Sequence, residues 1–160
     1  MPKFVFILKR NSFIFFLALV CFSCQKTTVY SNYRSLENAS WAFKDPITFG
    51  CAIPDTNYTY NGYLHFSIYT DYPFRNVWFR YQLGKNQKEQ KKQIMLASKQ
   101  GKWLGKGGGR TRRYRIPLFQ NRKIQANDSF IMEVTQYMRV DTLKGINTIG
   151  FELCKGIEVF

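Results

Sequence analysis

The fold is decided by two short stretches in which apolar and polar residues alternate. Residues 64–69 read LHFSIY, and residues 77–83 read VWFRYQL. An alternation with a period of two places every second side chain on the same face, as in a β-strand that covers a core with one side. An amphipathic helix would need apolar residues three and four positions apart. The two stretches therefore predict half-buried β-strands.

The same alternation recurs along the rest of the chain. It predicts further strands over residues 47–53, 93–98, 114–118, 130–135 and 149–153. Pro117 cannot donate a hydrogen bond to a neighbouring strand, so we expect its strand at the edge of a sheet. Residues 138–143 could form one short helical turn. Seven or eight short strands separated by turn residues predict an all-β fold, an antiparallel β-sandwich of the jelly-roll or immunoglobulin-like type.

The composition excludes several classes of protein. The 160 residues are 45% hydrophobic and 21% charged, which is typical of one folded domain. One histidine excludes a site with several histidine ligands, and we expect no metal and no cofactor. That histidine, His65, falls on the more polar face of its strand, without a visible catalytic partner. Because no nucleophile–base arrangement or close carboxylate pair is visible, we expect no catalytic residues and no enzyme activity.

The N-terminus has the pattern of an export signal. Basic residues precede the apolar run 13–22, and Ser23 stands directly before Cys24. The run is about half of the roughly 20 apolar residues that a membrane-spanning helix needs. A small residue before a cysteine is typical of bacterial lipoproteins, so we predict a signal peptide over 1–23 and lipidation of Cys24. A signal without lipidation is the alternative, since Cys21 stands where lipoproteins usually have leucine.

Signal removal leaves enough chain for one domain. We expect residues 24–44 to be a lipidated tether and N-terminal segment that becomes a strand or lies against the domain. Residues 45–160 are then the sandwich domain. Export permits a disulfide between Cys51 and Cys154, and the alternative is that both are small buried apolar side chains.

The positive charge is concentrated in one segment. The chain carries a formal net charge of +14, and residues 85–123 contain thirteen Lys and Arg against the single Glu89. Such a segment would attract anionic lipid, the phosphates of lipopolysaccharide or an acidic protein surface, and its binding would weaken with salt. Export makes nucleic acid an implausible partner. The alternative is a pair of solvated basic loops without a ligand.

Seven residues of this segment are candidates for binding a polyanion or a carbohydrate. They are Lys102, Trp103, Lys106, Arg110, Arg112, Arg113 and Arg115. The arginines and lysines would supply charge-assisted hydrogen bonds to anionic groups. Trp103 could stack on a sugar, although a tryptophan in a glycine-rich loop more often packs against the domain.

Four short motifs resemble one known family. They are DYPFRNVW at 71–78, GKWLGKG at 101–107, QYMR at 136–139, and LKGI at 143–146 followed by Gly150. Their order and spacing, together with Cys24, are similar to those of the GldH gliding motility lipoprotein family of Bacteroidota. The resemblance spans nearly the whole chain.

The resemblance implies a non-catalytic, lipid-anchored envelope protein. Its implied partners are other motility proteins and the associated type IX secretion machinery, where it would assist assembly or stabilisation. In this phylum an acidic cluster after the lipidated cysteine tends to accompany export to the cell surface. No such cluster follows Cys24, so we expect the outer membrane, facing the periplasm, with the inner membrane as the alternative. Arg139 of the third motif is a further candidate binding residue, with pairing to Asp141 or to loop carbonyls as the alternative. The alternative function is a β-sandwich module that binds carbohydrate or an anionic envelope polymer through its basic loops.

Overall fold

A computed structural model describes residues 27–53, 55–84, 87–124 and 130–158. The strands in this part of the chain are β1 (Thr28–Ser35), β2 (Ser40–Ala42), β3 (Ile47–Cys51), β4 (Tyr58–Tyr69), β5 (Asn76–Leu83), β6 (Gln90–Met95), β7 (Thr111–Lys123), β8 (Phe130–Gln136), β9 (Thr142–Lys144) and β10 (Ile146–Glu158). A 3₁₀ turn, Glu37–Ala39, precedes β2. None of the described residues forms a helix that is long and apolar enough to cross a membrane. The predicted signal peptide and Cys24 lie outside the described residues.

Eight of the strands form two antiparallel sheets. The long sheet has the order β1-β10-β4-β7, the short sheet has the order β3-β8-β5-β6, and β2 pairs with β9 in a separate ribbon. When β2 and β9 are left out, eight strands remain in chain order. The first of these pairs with the eighth, the second with the seventh, the third with the sixth, and the fourth with the fifth. A long hairpin rolled over on itself gives this order, which is that of a jelly roll. The predicted all-β sandwich is confirmed, and of the two expected types it is the jelly roll.

The core lies between the two sheets and is rich in aromatic rings. Phe66 of the long sheet contacts Phe79 of the short sheet with ring centroids 5.5 Å apart. Phe151 of the long sheet lies 6.2 Å from Phe49 and 5.8 Å from Phe130, both in the short sheet. All five rings are buried. Since burial of one phenylalanine contributes roughly 1.5–3 kcal/mol, these contacts are a main source of adhesion between the sheets.

The N-terminal segment is part of the sandwich. Strand β1 pairs with β10 from Thr28 to Ser35, and Trp41 of β2 is fully buried, with its ring 6.1 Å from that of Phe66. The indole Nε1 of Trp41 donates a hydrogen bond to the carbonyl of Asp45. Strands β1 and β2 of the expected N-terminal segment therefore belong to the folded body.

Strands β6 and β7 lie at the edges of the two sheets, on the same side of the sandwich. This confirms the edge position that Pro117 predicts for β7. The Lys92 ammonium of β6 donates to the carbonyl of Pro117 across this side. A proline and a lysine at an exposed edge are features that discourage pairing with another chain.

The sandwich has two distinct ends. Strand β1 begins near the end where β4 starts at Tyr58 and β7 finishes at Lys123, which we call the anchor end. The opposite, far end carries the loops from β4 to β5, from β6 to β7 and from β8 to β9. At about 3.3 Å per residue, the twelve residues of β4 span roughly 36 Å between the two ends.

The two described cysteines are not joined. Cys51 and Cys154 are both buried and free. Burial raises the pKa of the Cys51 thiol to about 11. Of the two alternatives left open by the sequence, the structure has two buried thiols and no disulfide.

Candidate functional site

The four motifs meet at the far end, around the loop between β4 and β5. Gly145 of the fourth motif has a φ of +89°, and a Cβ there would lie 2.9 Å from the Cα of Tyr72 in the first motif. The Tyr69 N–H donates to the carbonyl of Gly145 at 2.8 Å. Glycine at 145 therefore provides both the left-handed backbone conformation and the space that this close approach needs.

The second motif is joined to the same loop by backbone hydrogen bonds. The carbonyl of Arg75 accepts from the N–H groups of Leu96 and Ala97 at 2.7 and 3.0 Å. The N–H of Leu104 donates to the carbonyl of Leu96 at 2.9 Å. Trp103 pairs with Ala97 in an isolated bridge and packs against the core. Trp103 thus packs the loop against the core.

An apolar cavity of about 670 Å³ opens at the far end, where the first and third motifs meet. Its lining consists of Phe43, Phe74, Trp78, Tyr137, Met138, Arg139 and Val140. Phe43, Trp78 and Tyr137 are each 38% exposed, which is unusual for such large side chains in one place. We call this feature the aromatic cavity.

The buried side chain of Gln136 fixes the loop that lines this cavity. Its Nε2 donates to the carbonyl of Val140 at 2.9 Å, and its Oε1 accepts from the N–H of Met138 at 2.7 Å. The N–H of Tyr137 donates to the carbonyl of Trp78 at 2.8 Å. The Gln136 amide therefore closes the loop after β8, and the backbone bond holds this loop against β5.

Cations surround the aromatic cavity. The Arg80 guanidinium lies 5.3 Å from the ring centroid of Phe43 and 5.1 Å from that of Tyr137. The Lys91 Nζ lies 4.4 Å from the Tyr137 centroid and donates to its hydroxyl at 3.1 Å, which lowers the pKa of Tyr137. Arg139 lines the cavity and, within the described part of the chain, forms no ion pair with Asp141. Arg80 also pairs with Glu89 at 3.5 Å, so the cavity combines an apolar lining with a rim of three cations and one carboxylate, which is positive in net charge.

The candidate basic residues do not form one site. Arg110 pairs with Asp71 at 3.3 Å and lies over the ring of Tyr69, while Arg112 donates to the carbonyls of Gly109 and Thr111. Lys102 is exposed on the loop, and Arg139 belongs to the aromatic cavity. The residues that the fold brings together are Lys106, Arg113 and Arg115, which line a depression beside β7.

His65 has a partner that its sequence context does not reveal. Its Nε2 lies 2.7 Å from Oε2 of Glu152, and Nε of Arg115 donates to the same oxygen at 2.8 Å. Sequence inspection gave His65 no partner, and this is wrong, because Glu152 lies 87 residues away on the neighbouring strand β10. His65 is half-buried on the outer face of β4, as its place in the alternation predicts.

Glu152 is the centre of this polar cluster. Its side chain is only 15% exposed, and burial by itself raises the pKa of its carboxyl. Hydrogen bonds from Arg115, His65 and Cys154 outweigh burial and lower the pKa to about 2. The Arg115 guanidinium also lies 3.3 Å from the ring centroid of Tyr63, so its position is fixed on two sides.

Glu152→Gln should reduce the pH dependence of stability. A depressed carboxyl pKa stabilises the folded state above the ordinary value near 4.5, and this contribution is lost as the pH falls toward 2. The wild type should therefore lose more stability than the variant between pH 5 and pH 2.5, as measured by urea unfolding at several pH values. Glu133→Gln, at an exposed carboxylate on β8, is the control and should retain the wild-type slope. Equal slopes for wild type and Glu152→Gln would contradict the assigned role.

Several residues of the two sites carry no local sequence signal. Phe43 and Arg80 join Tyr137 only because β2, β5 and the loop after β8 converge at the far end. The motifs pointed to Trp78 and Tyr137, but their sequence positions do not indicate a shared cavity. The described residues contain no group of three or more His, Cys, Asp or Glu side chains that could hold a metal ion.

Comparison with known proteins gives one consistent result. A family model described as GldH lipoprotein matches residues 28–153. A curated relative from Flavobacterium johnsoniae, named gliding motility lipoprotein GldH, is 22% identical over 156 residues and covers 91% of this chain and 96% of its own length. No solved structure matches the chain significantly.

Proposed function

The chain belongs to the GldH lipoprotein family, and we propose that it is a non-catalytic, lipid-anchored component of the gliding motility apparatus that binds a neighbouring envelope protein through the aromatic cavity. The observation that carries this proposal is the convergence of the four motifs at the far end, where the aromatic cavity opens. Family membership supports the link to gliding motility and to a membrane anchor.

The position of the N-terminus supports a role for the far end. Three residues separate Cys24 from Thr28, the first residue of β1. At no more than about 3.5 Å per residue, four steps along the chain span roughly 14 Å. Lipidation of Cys24 would therefore hold the anchor end close to the membrane surface and leave the far end accessible to another protein.

The chemistry of the aromatic cavity suits a protein partner. Tryptophan, tyrosine and arginine are the residues that most often dominate binding energy at protein interfaces, and the cavity presents Trp78, Tyr137 and Arg139 together. Its lining is mainly apolar, and its rim is positive. A partner with an apolar anchor flanked by acidic residues would therefore be complementary.

We place the protein in the outer membrane, facing the periplasm, and assign it to the assembly or stabilisation of the motility and type IX secretion complex. The absence of an acidic cluster after Cys24 supports this location. The alternative function, binding of carbohydrate or an anionic polymer by the basic loops, would have to use Lys106, Arg113 and Arg115, since the other candidates lie elsewhere.

The experiment is complementation of a deletion strain with Trp78→Ala/Arg139→Glu. Loss of the apolar anchor together with reversal of the rim charge should reduce the abundance of the other gliding lipoproteins several-fold and abolish spreading. The control is Ile157→Ala, which removes an apolar side chain that is 64% exposed near the anchor end. Immunoblots should first show equal amounts of both variants in the membrane fraction. Unchanged levels of the other lipoproteins, in the deletion strain or in the cavity variant, would refute the proposal.

A further inference from the structure

The outer face of the long sheet carries an elongated groove that is separate from the aromatic cavity. Two adjoining cavities of about 550 and 330 Å³ share His65, Arg113 and Tyr114. The larger one also contains Lys106 and Arg115, together with the apolar side chains of Ile94, Leu104 and Ile116 at the edge where β7 lies beside β6, and the smaller one contains Tyr33. Both volumes lie in the range of small-ligand sites, and together they extend across β4 and β7. We call this feature the basic groove.

The basic groove has an excess of positive charge. Lys106 and Arg113 are exposed, and no described carboxylate lies within salt-bridge distance of either side chain. Arg115 and His65, in contrast, already share Glu152. The groove therefore contains one cluster of paired charges and two cations that remain available to a ligand.

Tyrosine rings border the same groove. Tyr33 is 52% exposed, and its ring meets that of His65 edge-on with centroids 5.5 Å apart. Tyr63 lies beneath Arg115. A tyrosine offers an apolar ring face and a polar hydroxyl, so it can pack against a ligand that is itself both apolar and polar. The exposed cations Lys106 and Arg113, together with the exposed ring of Tyr33, suit a sugar that carries an anionic group.

We propose that the basic groove binds an acidic sugar unit of an envelope polysaccharide. Lys106 and Arg113 hold its carboxylate or phosphate by charge-assisted hydrogen bonds, and Tyr33 packs against the sugar ring. This inference deepens the alternative function named above and rests on the proposed lipid anchor for the position of the groove, but it does not involve the aromatic cavity or the partner proposed for it.

The location of the groove favours a polysaccharide over lipid headgroups. His65 lies seven residues along β4 from Tyr58, which corresponds to roughly 23 Å from the anchor end. Headgroups of the anchoring leaflet lie at that end, while a polymer can reach the side of the sandwich.

The test is calorimetric titration of the full-length lipidated protein in detergent micelles. The two oligosaccharides expected to bind are both anionic. They are hexagalacturonate, which carries carboxylates, and a phosphomannan oligosaccharide, which carries phosphates. Fully methyl-esterified hexagalacturonate has the same sugar backbone without charge. Hexaglutamate supplies carboxylates without sugar, and glycerophosphoglycerol supplies the headgroup phosphate of an anionic lipid.

At least one charged oligosaccharide should bind ten or more times more tightly than the ester, hexaglutamate and glycerophosphoglycerol. Lys106→Gln/Arg113→Gln should weaken that binding at least tenfold, and the single variant Arg113→Gln should weaken it about threefold. The control is Lys123→Gln/Lys144→Gln, which removes the same charge at exposed positions outside the groove and should stay within twofold of wild type.

Three outcomes would overturn the proposal. The first is that neither charged oligosaccharide binds. The second is that the ester, hexaglutamate or glycerophosphoglycerol binds as tightly as both charged oligosaccharides. The third is that the control variant loses as much affinity as the groove variant. Unfolding curves in urea would verify that both double variants are folded. Since the aromatic cavity is unchanged in these variants, failure here would leave the complementation result unaffected.

Discussion

Phe151→Ala should lower the free energy of unfolding by about 3–5 kcal/mol, because it opens a cavity between the two sheets. Phe151 is fully buried on β10, which pairs with both β1 and β4. Its ring lies 6.1 Å from that of Tyr30 and contacts Phe49 and Phe130 across the core. The lost stability therefore includes the free energy of burying the ring and the contribution of three aromatic contacts. Urea unfolding at pH 7, followed by tryptophan fluorescence, measures it.

The control for this variant is Leu104→Ala. Leu104 is 58% exposed, so removal of its side chain should change stability by less than about 0.5 kcal/mol. If Phe151→Ala cost less than about 1.5 kcal/mol, the packing of the two sheets around this ring would not be as described.

Gln136→Leu should lower the free energy of unfolding by roughly 2–6 kcal/mol, although leucine is apolar and similar in size to glutamine. Gln136 is fully buried, and its amide satisfies the N–H of Met138 and the carbonyl of Val140. Leucine would leave both part-buried backbone groups without this partner, at about 1–3 kcal/mol for each. The same loop lines the aromatic cavity, so complementation should fail together with stability. Urea unfolding and the spreading assay measure the two effects.

Gln120→Leu is the matched control, since Gln120 is exposed on β7. It should unfold within about 0.5 kcal/mol of wild type and should complement fully. A Gln136→Leu variant as stable as this control would show that the loop does not depend on the glutamine amide. A stable variant that still failed in the spreading assay would limit the role of Gln136 to the shape of the cavity.

Strand positions were predictable where the alternation is uninterrupted, and strand lengths were not. Strand β4 begins at Tyr58, six residues before the stretch that predicted it, and β10 begins at Ile146 and runs to Glu158. Gly62 and Gly150 interrupt the apolar pattern inside these strands. In the fold, the ring of Phe119 lies over Gly62 and that of Tyr33 over Gly150, where a Cβ would overlap it. These rings come from neighbouring strands, so a local window does not contain them.

The candidate sites show the same limit. The charge count located a basic segment. It did not show that Arg110 pairs with Asp71, or that Lys106 and Arg113 come together in the basic groove. The pairing of His65 with Glu152 depends on the alignment of β4 with β10, in which Gly150 faces His65. The aromatic cavity depends on the position of Phe43 beside residues that are 31–97 positions later in the chain.

The sequence alone determined the all-β class, the edge position of β7, the concentration of positive charge and, through its four motifs, the family. Each of these follows from residue type or local spacing, because strand periodicity, the missing N–H of proline and net charge are local properties. The tertiary structure alone decided the jelly-roll pairing, the partner of His65 and the meeting of three exposed rings at the far end. These depend on which distant strands become neighbours, and that choice is made by burial of the whole core.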